Sequence, residues 1–149
     1  MSRRNNGSVT IKIIWWTYII LLVLIVIFKF HGSLADLIRR MQFATQVGYN
    51  LVPFTTIQSQ LETFGSGVSR LNLIGNIVPF IPFGILLPAA YPRMRRFISF
   101  FLTAILFELG VESLQYLTKL GSFDVDDIIL NMVGIIFGYL IYRIFSHKK

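Results

Sequence analysis

Glu108 and Glu112 stand four residues apart with Gln115 three further on, and Asp124, Asp126 and Asp127 follow within a Ser-Phe-Asp-Val-Asp-Asp run. On a helix the first three positions stack on one face, with Lys119 continuing the stripe. Carboxylates gathered in this way can act as general acid and base, or share a hard divalent cation with oxygen donors. Three asparagines, Asn50, Asn76 and Asn131, supply amides able to bond such carboxylates. The chain has no cysteine, and His31 and His147 lie far apart, so neither a zinc centre nor a Cys nucleophile is available. A carboxylate and amide donor set suits Mg²⁺ or Ca²⁺ far better than zinc.

The elements that must position these groups are membrane spans. Hydrophobic residues make up 54% of the 149 and charged residues only 14%. Mean hydropathy is +0.67. Four apolar runs emerge, at 13–28, 73–91, 97–117 and 128–145, each long enough to cross a bilayer or nearly so. Trp15, Trp16 and Tyr18 gather at the start of the first, where an aromatic belt is expected. Ionised groups beside such segments are expensive unless something polar faces them.

The expected fold is all-α: an integral membrane bundle of four transmembrane helices, with short amphipathic interfacial helices between the first and second spans. Two pieces carry apolar residues at helical spacing, 34–41 (Leu34, Leu37, Ile38, Met41) and 57–64 (Ile57, Leu61, Phe64), and both suit a membrane surface. Gly65-Ser66-Gly67 reads as a flexible break. Pro79 and Pro82 each remove a backbone donor inside the second span, so that helix is expected to kink or break where protein satisfies the freed carbonyls. Gly134 and Gly138 form a small-xxx-small pair suited to close helix packing. The chain divides into an N-terminal segment 1–12, a membrane domain 13–145 and a tail 146–149.

Four spans put both termini and the 92–96 loop on one side. That side holds Arg3, Arg4, Lys12, Arg93, Arg95, Arg96, Arg143, Lys148 and Lys149, nine of the fourteen basic residues and none of the seven acids. The positive-inside rule makes it cytoplasmic. The net charge of +7 is therefore read as topology rather than nucleic-acid binding, because it clusters at the ends of apolar runs. Rise along the helices brings Asn76, Glu108, Glu112, Gln115, Asp124, Asp126, Asp127 and Asn131 to one outer layer, with Asn50 in the loop above, around an outward-opening polar pocket.

These residues resemble the VanZ-like family of bacterial membrane proteins. The matching motifs are Asn50-Leu51-x-Pro53-Phe54; Asn76-x-x-x-Phe80-x-Pro82-x-Gly84 followed by Leu87-Pro88; Glu108 with Glu112-x-x-Gln115; and Ser122-Phe123-Asp124-x-Asp126-Asp127-x-x-x-Asn131-x-x-Gly134-x-x-x-Gly138-Tyr139. Many members carry an arginine just before the Ser-Phe-Asp run, where this chain has Gly121. The resemblance implies a multi-pass protein of the bacterial cell membrane, associated with resistance to teicoplanin and related glycopeptides, with no established reaction or cofactor. Its implied partners are membrane lipids and a lipid-linked cell-wall precursor or a glycopeptide. An alternative reading of the same residues is an intramembrane enzyme acting on a lipid-linked substrate through paired carboxylates, with or without a divalent cation.

Overall fold

A computed structural model of the chain describes residues 3–28, 38–39, 42–43 and 48–146. Helix α1 spans Arg3–Phe28, and a two-residue strand β1, Tyr49–Asn50, precedes the short helix α2, Thr55–Glu62. Helix α3, Gly67–Ile77, passes through a 3-10 turn, Val78–Phe80, into α4, Ile81–Ala90. A 3-10 turn at Pro92–Arg95 leads to α5, Phe97–Leu117. Strand β2, Phe123–Asp124, opens directly into α6, Val125–Ser146. Four stretches are long and apolar enough to cross a membrane: Ser8–Val26, Gly67–Ala90, Phe97–Leu117 and Val125–Ser146. These are the four expected spans of a multi-pass membrane bundle.

The second span starts at Gly67, six residues before its apolar run. Ser66, read from sequence as part of a flexible break, instead caps α3, its Oγ accepting from Ser69 N at 3.1 Å. The span breaks where the prolines stand, with Pro79 in the 3-10 turn and Pro82 in the first turn of α4. Tyr18 of α1 donates its hydroxyl to the Pro79 carbonyl at 2.8 Å, so a neighbouring helix serves the irregular backbone. The 57–64 amphipathic piece overlaps α2, which has no buried residue. The 34–41 piece lies outside the described residues apart from Ile38 and Arg39.

Helices α4 and α6 form the tightest pair. A Cβ on Gly84 would run into the Ile135 carbonyl oxygen, one on Gly138 into that of Ile81, and one on Gly134 into that of Ile77. Backbones approach this closely only because no side chain intervenes. Gly134 and Gly138 thus seat α6 against the broken span of the same chain. Trp15 of α1 meets the Phe83 ring of α4 edge-on at 5.0 Å, and Phe100 of α5 stacks on Tyr139 of α6 at 4.3 Å. Large apolar residues such as Ile20, Ile98, Leu106 and Phe145 point outward, as hydrocarbon solvent permits.

The end of α5 is a Schellman turn. Lys119 N bonds Tyr116 O at 3.1 Å and Leu120 N bonds Gln115 O at 2.9 Å, with Lys119 in the left-handed region at φ 60° and Leu120 buried. This turn directs the chain back across the bundle end into β2. There β2 pairs in parallel with β1, Tyr49 opposite Phe123 and Asn50 opposite Asp124. The loop after α1 is thereby fastened to the start of the last span.

Candidate functional site

Helix α6 begins with Asp126 and Asp127 in its first turn, where the N-terminal end of the helix dipole favours negative charge. Its next turn places Asn131 against Glu108 of α5, and Asn131 Nδ2 donates to Glu108 Oε2 at 2.7 Å. One turn nearer the bundle end, Asn76 of α3 donates its amide to Asp127 Oδ1. At the end itself, Glu112 Oε2 accepts from the Asp124 backbone N–H at 3.2 Å. Spans two, three and four therefore meet through one ladder of carboxylate and amide pairs.

The loop closes over this ladder. Asp124 Oδ1 accepts from Asn50 Nδ2 at 3.1 Å, and its Oδ2 from Thr56 Oγ1 at 2.7 Å. Asp126 reaches the start of α2, where its two oxygens accept from the backbone N–H groups of Phe54 at 2.6 Å, Thr56 at 2.7 Å and Ile57 at 3.1 Å. Helix α2 has no cap from its own neighbouring side chains. A carboxylate about 70 residues away satisfies its first donors instead.

Nearly all of these groups are inside. Glu108 and Asp126 are 0% exposed, Glu112 2% and Asn131 3%. Asn76, Gln115 and Asp124 are buried as well, while Asn50, Thr56 and Asp127 are half-buried and form the accessible edge. All nine polar residues singled out from the sequence gather at one end of the bundle, seven of them in its interior and Asn50 and Asp127 at its half-buried edge. Gln115 is set slightly apart, its side chain packed against Gly121. Glu108 Oε1 and Asn131 Oδ1 are buried acceptors with no hydrogen-bond partner among the described residues.

Two participants escaped sequence reasoning. Thr56 bonds Asp124 through its hydroxyl and Asp126 through its backbone, and the only local signal is its place two residues after Phe54. Tyr18 stands by position in an aromatic belt, yet its hydroxyl bonds the broken span. No group of three or more His, Cys, Asp or Glu side chains among the described residues is arranged to hold a metal ion. The carboxylates are separated by their own amide, hydroxyl and backbone partners.

Protein VanZ of Enterococcus faecium is 28% identical over 125 residues, covering 84% of this chain and 68% of that protein. No solved structure matches. A family model described as VanZ/LLP1 matches residues 15–146, which include every carboxylate and amide of the ladder and both strands of the loop clasp. By that match, the chain belongs to the VanZ/LLP1 family.

Proposed function

We propose that the protein acts at the outer face of the bacterial cytoplasmic membrane, where it modulates the cell envelope and, through it, susceptibility to teicoplanin-type glycopeptides. Both termini lie in the cytoplasm in this reading, because the basic residues collect at their end of the bundle and the acids at the other. The observation that carries the proposal is the Asn50–Asp124–Glu112 connection. It links a half-buried edge at the bundle end to carboxylates at membrane depth. A polar envelope molecule, such as a lipid-linked cell-wall precursor or a glycopeptide head, would be recognised there through its donors. Helix α2 and the 34–41 piece would lie at the interface.

The family likeness supports the glycopeptide class, and the charge distribution of this chain supports the side of the site. An effect that depends on membrane partition scales with a drug's lipid tail. Deletion and overexpression strains compared for teicoplanin and vancomycin inhibitory concentrations should shift more for teicoplanin. Glu112→Ala, Asp127→Ala and Asn131→Ala should lose that shift while the protein stays in the membrane. Equal shifts for both drugs remove the tail argument, and no shift for either removes the antibiotic reading.

A further inference from the structure

Near the polar end of the bundle α1 stands away from α5, because it packs chiefly on α4. The gap is a cavity of about 100 Å³. Val23 and Val26 wall it from α1, Val111, Leu114 and Gln115 from α5, and Thr118 with the buried Leu120 of the Schellman turn completes the lining. Its exposed surface is carbon throughout. The two helices that flank it carry span-length apolar stretches, so the medium beside it is hydrocarbon. An apolar cavity of this order does not hold water, and the filler that a bilayer offers is a methylene chain.

Gln115 marks where this slot meets polar chemistry. It is 8% exposed and its side chain contributes to the slot wall. Its amide end turns toward Gly121, where an added Cβ would lie 3.7 Å from Nε2. No described residue hydrogen-bonds that amide. One turn back, Glu112 holds the Asp124 backbone.

We infer that the α1–α5 slot takes the acyl chain of a lipid entering sideways from the bilayer, with the Gln115 amide bonding the polar linkage at the top of that chain. This rests on the reading of the acidic end as a binding site, and it names the ligand class. Beyond Gln115 stand the carboxylates of Glu112 and Asp124, so the head that fits carries no negative charge of its own, as a neutral sugar does. A phosphate monoester head brings its own negative charge and is repelled. Lipid tails are as apolar as the slot, so the slot orients the ligand and the head selects it.

The test uses the full chain in phosphatidylcholine nanodiscs containing a monoglucosyl diacylglycerol with a diazirine on one acyl chain. Photolabel should concentrate on the α1 peptide holding Val23 and Val26 and the α5 peptide holding Val111 and Leu114. Val23→Trp and Val111→Trp fill the slot from opposite walls and should cut labelling about tenfold at unchanged unfolding midpoints. Gln115→Leu should cut it several-fold. In the unaltered protein, unlabelled glucosyl lipid should compete several-fold better than phosphatidic acid with the same chains. Label spread evenly over Leu102, Leu106 and Leu140, or competition that ignores head chemistry, overturns the inference. Labelling lost in Val111→Trp with teicoplanin susceptibility unmoved supports the slot and removes the antibiotic reading, so the two ideas fail separately.

Discussion

The backbone N–H of Phe54 donates to Asp126 Oδ1 at 2.6 Å while Phe54 sits in the left-handed region at φ 70°. A phenylalanine in that region costs about 1–2 kcal/mol, and a charge-assisted bond into a buried carboxylate is of the size needed to hold it there. The start of α2 is therefore set by a residue of the last span, not by its own sequence.

Replacing that carboxylate should release the loop without dissolving the bundle. Asp126→Asn keeps the size but loses the charge and one acceptor, and should cost about 1–3 kcal/mol. Hydrogen exchange at the Thr56 and Ile57 amides should quicken strongly, with the α6 interior near Ile135 little changed. Equal protection of α2 in both proteins would show that the cap is not what holds it.

The Glu108–Asn131 pair gives a second, opposite expectation. Each side chain retains one buried oxygen without a partner, beside a single 2.7 Å bond. Glu108→Gln supplies an N–H₂ that can donate to Asn131 Oδ1 and close a two-bond amide pair. It should stabilise by about 1 kcal/mol, whereas Glu108→Leu leaves Asn131 unpaired and should destabilise by about 1–3 kcal/mol. Thermal unfolding of both variants in one detergent decides it, and a loss of stability in the glutamine variant sinks the argument.

Three glycines should behave unlike a fourth. Gly84→Val, Gly134→Val and Gly138→Val drive a side chain into backbone and should cost about 3 kcal/mol or more, seen as loss of monodisperse protein. Gly110 lies in α5 with nothing within 4 Å of an added Cβ. Gly110→Ala should stabilise by about 0.4–1 kcal/mol. A tolerated valine at Gly84 would mean that α4 and α6 do not pack through this contact.

Orientation is checked by labelling. Cysteine at Ser66 should react with an impermeant reagent in intact cells and cysteine at Ser2 should not. The reverse pattern would invert the bundle and end the outer-face proposal.

What could be read in advance follows from how local each signal is. The spans were legible because an apolar run of span length needs no knowledge of its neighbours, and the break at Pro79 because proline acts on its own helix. The shared layer of Glu108, Asp127 and Asn131 followed from helical rise alone. The start of the second span was missed because Ser69, Arg70 and Asn72 dilute the apolar run, although Ser66 is a good cap. The pairing of Asn50 with Asp124 joins strands of two residues, too short for any periodicity to reveal. The burial of the ladder was equally illegible, since a polar residue lining a mouth and one sealed beneath a loop look alike in sequence.

The clasp between Asn50 and Asp124 spans 74 residues, and that separation is also an interval of time. At roughly 5–20 residues per second of synthesis, the asparagine waits about 4–15 s for its aspartate. By the end of that wait three spans are made, yet α2 still lacks its cap, and Glu108 and Glu112 lack Asn131 and the Asp124 amide. The final helix acts as a latch, because a chain halted before residue 124 carries Glu108 without its Asn131 bond and Glu112 without the Asp124 amide.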